Sequence, residues 1–142
     1  MKSILQVEDE EHDVIFFRLA AETAGLNNPV QVARDGREAI DYLSGARKFA
    51  DRVQFPLPGI VLLDLKLPQV PGLDVLKFIR SQPHLAKVVV LVFSSSDHDS
   101  DIEAAYALGA NSYIVKPANP SELNRAVELI KAYWLRLCRL PA

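Results

Sequence analysis

Five side chains combine into one chemistry if the fold gathers them: Glu8, Asp9, Asp64, Ser94 and Lys116. Carboxylates crowded at short range repel, and each resists ionisation unless a cation sits among them. Oxygen-only ligands with positions left for water suit Mg2+, whose usual protein site is one or two carboxylates plus phosphate oxygens. A hydroxyl and a lysine complete a set suited to phosphoryl transfer. There the cations neutralise charge on the transferring oxygens, and positioning supplies most of the rate. No histidine or cysteine is placed to act as nucleophile, which makes a carboxylate the acceptor and Asp64 the best-placed candidate. An aspartyl phosphate is a mixed anhydride, energetic enough to drive a change in conformation.

Each residue also has a plainer role when taken alone. Asp64 could cap a helix or shape a turn, and Ser94 to Ser96 could be an N-cap cluster. Glu8-Asp9-Glu10-Glu11 could be a solvated helix start favoured by the helix dipole, and Lys116 a solvated lysine. What favours the joint site is position, because each residue lies at the end of its own apolar run.

Those runs alternate with helix-period segments five times. Ile4-Leu5-Gln6-Val7 reads as a first strand, Pro29 to Ala33 as a second and Ile60 to Leu63 as a third. Val88 to Phe93 and Ser112 to Val115 are the fourth and fifth. Between them, Val14, Phe17, Ala21 and Ala24 mark a helix over 13–24, and Gly25 stops it. Ala39, Ile40 and Leu43 mark a helix after Asp35-Gly36, Leu73, Leu76 and Ile79 another, and Ile102, Ala105 and Leu108 a fourth. The last runs over 121–138, about 27 Å long, with Leu123, Val127, Ile130 and Trp134 on its inner face. Residues 46–59 break the pattern: Arg47 to Arg52 could prolong a helix, but Pro56, Pro58 and Gly59 end it. So long a connection reads as a solvated loop or as one that touches something else.

Continuous hydrophobic strands in strict β–α alternation predict one doubly wound α/β domain over 1–142, with its core over about 3–131 and an extension over 132–142. The expected architecture is a five-stranded parallel sheet in the order 2-1-3-4-5 with helices on both faces, as in flavodoxin-like folds. In that order strands 1 and 3 are neighbours at the topological switch point. Glu8, Asp9 and Asp64 then share a crevice, with Ser94 and Lys116 facing it from strands 4 and 5.

Composition removes other classes. A net charge of −2 offers no basic surface for nucleic acid. One cysteine, Cys138, makes no internal disulfide, and His12, His84 and His98 lack a second ligand at metal spacing. No apolar stretch approaches the roughly 20 residues that span a bilayer, and no signal peptide is visible. The expectation is a cytoplasmic single domain.

Val7-Glu8-Asp9, Leu63-Asp64 with Leu67-Pro68, Ser94-Ser95 and Lys116-Pro117 resemble the receiver domain of two-component response regulators, the CheY-like fold. The resemblance covers essentially the whole chain. It implies Asp64 as phosphoacceptor from a sensor histidine kinase, and a Mg2+ pocket of Glu8, Asp9, Asp64 and the backbone carbonyl of Lys66. It also implies a switch pair of Ser94 and Tyr113, Lys116 paired with the phosphoryl group, and a cis Lys116-Pro117 bond. Ser94 stands where threonine is more usual, and Pro71 where the family often has Asp or Asn. A narrower resemblance rests on Phe55-Pro56-Leu57-Pro58, Ser94-Ser95-Ser96 and Ala132-Tyr133-Trp134-Leu135. It implies a stand-alone regulator, not an enzyme and without an output domain, that partners a phytochrome-type kinase.

Two other functions compete. A Mg2+-dependent phosphohydrolase using Asp64 would want a second Asp two places on, where this chain has Lys66. A flavodoxin-like FMN protein would want a glycine- and hydroxyl-rich phosphate loop after strand 1, where four acids stand instead. At the C-terminal end, Ala126, Leu129, Tyr133, Leu137 and Leu140 exceed what one inner face buries. They predict a homodimer through that region, or a tail folded back on its own domain.

Overall fold

The computed structural model describes residues 1–141. Its strands β1 (Ile4–Val7), β2 (Val30–Ala33), β3 (Ile60–Leu63), β4 (Val89–Ser94) and β5 (Ser112–Val115) form one parallel sheet in the order 2-1-3-4-5. Helices α1 (Glu11–Thr23), α2 (Gly36–Ser44), α3 (Gly72–Ser81), α4 (Asp99–Ala107) and α5 (Pro120–Ile130) connect them. The expected fold is the observed one.

Alternation along the strands divides the interior into two cores. Leu5, Val7, Val61, Leu63, Val90 and Val92 face α2, α3 and α4, where they meet Tyr42, Leu43, Leu76, Ile79 and Ala105. Ile4, Ile60, Leu62, Leu91 and Phe93 face α1 and α5, where they meet Phe17, Ala20, Val127 and Ile130. Burial of each such large side chain contributes about 1.5–3 kcal/mol.

The parallel register aligns the strands row by row. Val7 pairs with Leu63, Leu63 with Val92, and Val92 with Tyr113, so these four form one row across the sheet. The next row, Glu8, Asp64, Phe93 and Ile114, must point to the α1/α5 side. The row after that, Leu65, Ser94 and Val115, points back to the α2–α4 side. Lys116 lies one residue further on and faces α1/α5 again. Parity therefore separates the acidic pair and the lysine from Ser94 and Tyr113.

Three local expectations need correction. Helix α1 begins at Glu11, two residues before the sequence pattern places it, because the Glu10 carbonyl already accepts from Val14 N at 3.1 Å. The predicted single helix over 121–138 is α-helical only to Ile130; Lys131–Leu137 is π-helical, closed by Cys138 N donating to Tyr133 O at 2.6 Å. The wider turn brings Trp134 and Leu135 together against the α1/α5 core while Tyr133 and Leu137 stay exposed. Residues 46–59 are not a plain solvated loop. A 3₁₀ turn at Arg47–Phe49 buries Phe49 against Tyr42 and Phe55. Arg52 donates to the Tyr42, Leu43 and Phe55 carbonyls, satisfying the orphan end of α2.

The loop from β3 to α3 is held by close backbone contact. Gly72 N donates to Leu65 O at 2.9 Å, and Gly36 N to Pro68 O at 3.3 Å. A Cβ on Gly72 would lie 2.2 Å from Asp64 O, and one on Gly36 would lie 1.9 Å from Val70 O. Both glycines are there for space, since neither has a positive φ. Pro71, whose effect on this loop the sequence left open, accepts from Asp74 and Val75 and opens α3 without a side-chain cap.

Candidate functional site

The register row delivers Glu8 and Asp64 side by side, and Lys116 reaches them from just past the end of β5. Lys116 Nζ lies 2.5 Å from Glu8 Oε1, 3.0 Å from Asp64 Oδ2 and 3.0 Å from Asp13 Oδ2. Three carboxylates thus take the three N–H groups of one ammonium. Asp64 Oδ1 is turned the other way, accepting from Leu65 N at 2.7 Å and more weakly from Lys66 N at 3.4 Å. Glu8 Oε2 accepts from Glu10 N at 3.2 Å. Carboxylate oxygens of Glu8, Asp9 and Asp64 all lie within 4.8 Å of one another.

Burial pushes the Glu8 carboxyl up to about 7; the Lys116 hydrogen bond pulls it down and the neighbouring Asp64 charge pushes it up again. Burial alone would lower the Lys116 ammonium, but the Glu8 hydrogen bond, Asp64 and Asp13 outweigh it and hold its pKa above the ordinary value. Four carboxylates around one ammonium leave the crevice short of positive charge. With oxygen as the sole donor type, that deficit fits a hard divalent cation.

A pH dependence follows for the metal-free protein. The folded Glu8 binds its proton more tightly than the unfolded chain, whose value is near 4.5. The resulting stabilisation is complete below 4.5 and is lost as pH rises through about 7; it amounts to about 3 kcal/mol. Urea unfolding with a chelator present should give a midpoint that falls from pH 5 to pH 8. The Glu8→Gln variant should be nearly flat over that range, and an equal slope in both proteins would refute the assignment to Glu8.

Ser94 and Tyr113 are brought together through a third residue. Ser94 is fully buried, and its hydroxyl accepts from Ser96 N at 3.2 Å. The Tyr113 hydroxyl donates to Ser96 O at 2.9 Å. Ser96 Oγ in turn bonds Asp101 Oδ2 at 2.5 Å, so α4 is tied to the same loop. Lys66 has an exposed side chain and lends the site its backbone. All peptide bonds of the described residues are trans, Lys116-Pro117 included, contrary to the family expectation. With this bond Lys116 N donates to Ser94 O at 2.8 Å and the ammonium lies in the crevice. Trans is also the favoured isomer, by about 0.5–1 kcal/mol.

Asp13 is the site residue that the sequence pattern missed. Starting α1 at Glu11 places it in the first turn, where it reaches Lys116. The signal available was parity: an acid in the first turn of the helix covering the Glu8–Asp64 face can meet whatever that face presents. Beside the crevice, a cleft of about 510 Å³ runs between α1 and the start of α5, lined by Asp13, Phe16, Leu19, Lys116 and Leu123. Glu8 lines it too and Asp64 does not, so the cleft opens onto the lysine side of the acidic crevice.

A doubly wound sheet carrying three clustered acids and a lysine at its switch point defines a class of α/β protein built around an acidic, cation-suited crevice. The sequence matches the response regulator receiver domain over residues 4–128, and the chain belongs to that family. It is 39% identical to the probable methanogenesis regulatory protein FilR2 of Methanothrix harundinacea, covering 97% of this chain and 86% of that one. It is 33% identical to the response regulator Rcp1 of Synechocystis, covering 99% and 94%. The Mn(2+)-bound form of Rcp1 superposes with a TM-score of 0.91 at 32% identity, over 100% of both chains. The phosphorylated cyanobacterial phytochrome response regulator RcpA superposes with a TM-score of 0.92 at 37% identity, over 99% of both chains. Receiver domains bind a divalent metal, and Glu8, Asp9 and Asp64 are grouped as such a site would need. No helix among the described residues is long and apolar enough to cross a membrane.

Proposed function

We propose that this chain is a phosphorylation switch in which Asp64 accepts a phosphoryl group from the phosphohistidine of a sensor kinase. The observation that carries this is the three-way hold of Lys116 on Glu8, Asp64 and Asp13 beside the Glu8–Asp9–Asp64 cluster. Asp64 Oδ1 is tied to the Leu65 amide, which leaves Oδ2, on the Lys116 side, to attack. An Oδ2–phosphorus bond forms as the phosphorus–nitrogen bond breaks, and the electron pair returns to the imidazole nitrogen. Lys116 then moves its Asp64 hydrogen bond to a phosphoryl oxygen. Glu8, Asp9, Asp64 and the Lys66 carbonyl would hold Mg2+, which when bound supplies charge neutralisation on the phosphoryl oxygens. Ser94 follows the new charge, and its bond to Ser96 relays that movement to Tyr113 and α4.

The likeness to RcpA supports a phytochrome-type kinase as the partner. The protein acts as a switch in the cytoplasm and not as an enzyme. Lys66 stands where a phosphohydrolase would need a second acid, and four acids after β1 disfavour an FMN phosphate. Its balanced surface charge disfavours direct contact with nucleic acid. The function is tested by incubating the protein with Mg2+ and acetyl phosphate and measuring intact mass. One phosphoryl adduct is expected, and an unmodified protein would refute the proposal.

The C-terminal region supports a homodimer. Leu129, Tyr133 and Leu137 are each more than half exposed, at spacings of four residues along α5 and the π-helical segment. Leu140 folds back on the α1/α5 core, so the tail serves its own domain in part. Sedimentation at tens of micromolar should give a dimer that Tyr133→Glu with Leu137→Glu converts to monomer; a monomeric wild type contradicts it.

A further inference from the structure

We infer that Asp13 is a positioning residue for Lys116, holding its ammonium at the crevice while Glu8 and Asp64 are engaged elsewhere. The inference rests on Asp64 as the phosphoacceptor and goes beyond it. Lys116 has three partners, and two of them, Glu8 and Asp64, also belong to the cluster of oxygens suited to a cation. Asp13 is the third partner and lies outside that cluster.

Phosphorylation takes the Asp64 partner from Lys116, and a cation on Glu8 weakens the second. A lysine carries its charge on a flexible four-carbon stem and does not stay in place without a partner. Asp13 supplies that partner from a different element. Helix α1 is fixed to the sheet through Phe17, Ala20 and Ala21, so the carboxylate it presents is anchored independently of the phosphoryl group. Its side chain is 40% exposed against 3% for Glu8, which places it at the mouth of the crevice. Orientation of a charged group toward the transferring oxygens is where such sites gain rate.

The test measures phosphorylation by acetyl phosphate across donor and Mg2+ concentrations for wild type, Asp13→Ala, Asp13→Asn and Asp13→Glu. The maximal rate at saturating donor should fall about tenfold in Asp13→Ala and in the shape-preserving Asp13→Asn. The Mg2+ concentration for half-maximal rate should stay within about twofold, and Asp13→Glu should restore most of the rate. A merely structural role would not be rescued by a longer acid while failing with an isosteric amide. Wild-type rates in Asp13→Ala would overturn the inference and leave the Asp64 assignment standing. An equal loss of Mg2+ affinity and rate would overturn it too, by placing Asp13 among the cation ligands. A wild type that takes up no phosphoryl group would remove both.

Discussion

Replacing Lys116 with Met should abolish efficient phosphorylation and lower the stability of the metal-free protein at pH 8 by about 3 kcal/mol. Met keeps most of the apolar stem, so the loss is one of charge. Lys116 is 12% exposed and sits against Glu8 and Asp64, which are 3% and 8% exposed. Without the ammonium, two buried carboxylates face each other with no counter-charge, and removing one partner of a buried pair is far costlier than the pair is worth. The cost should shrink at pH 5.5, because burial already raises Glu8 toward neutral pH and protonation removes one of the two charges. Mg2+ should recover much of the stability at pH 8 but not the phosphorylation rate. Urea unfolding at the two pH values, with and without Mg2+, checks this; an equal loss under all four conditions would contradict it.

Gly72→Val should be nearly as damaging, through packing alone. The new Cβ would meet Asp64 O at 2.2 Å and Leu65 Cα at 2.6 Å. Both are backbone atoms of Asp64 and its neighbour just past the end of β3, with no flexible side chain to give way. Overpacking against backbone costs about 3 kcal/mol, and the relief must move Asp64 itself. Phosphorylation should fall at least about tenfold in the fraction that remains folded. Gly36→Ala makes the informative comparison, since its Cβ would strike Val70 O, further along the same loop. It should cost similar stability with a smaller loss of rate. If both variants lose rate in proportion to stability alone, the contact of Gly72 with Asp64 has no special role.

The difference between these two glycines illustrates what was legible in the sequence. The strands were, because parallel strands buried on both faces need unbroken apolar runs, and Ile60 to Leu63 can hardly be anything else. Once the order 2-1-3-4-5 is accepted, Glu8, Asp9 and Asp64 meet by register. Asp13 was not legible, because the apolar stripe of α1 fixes which residues face the core but not which charged group an acid at the helix start will meet. Arg52 was hidden for a different reason. A charged residue in a polar loop reads as solvated until the α2 carbonyls it satisfies are in view. The π-helical end of α5 has no compositional signature, since it differs from an α-helix in bonding and not in residue type. The trans Lys116-Pro117 bond departs from what the family likeness implied.

The central claim is that Asp64 carries the phosphoryl group. The most direct measurement treats wild type and Asp64→Asn in parallel with acetyl phosphate and Mg2+, then maps the modified peptide by mass spectrometry. The expected result is one phosphoryl group on the wild-type peptide containing Asp64, removed by hydroxylamine as an acyl phosphate must be, and none on Asp64→Asn. An adduct of equal yield on Asp64→Asn, or one mapping to another peptide, would contradict the account.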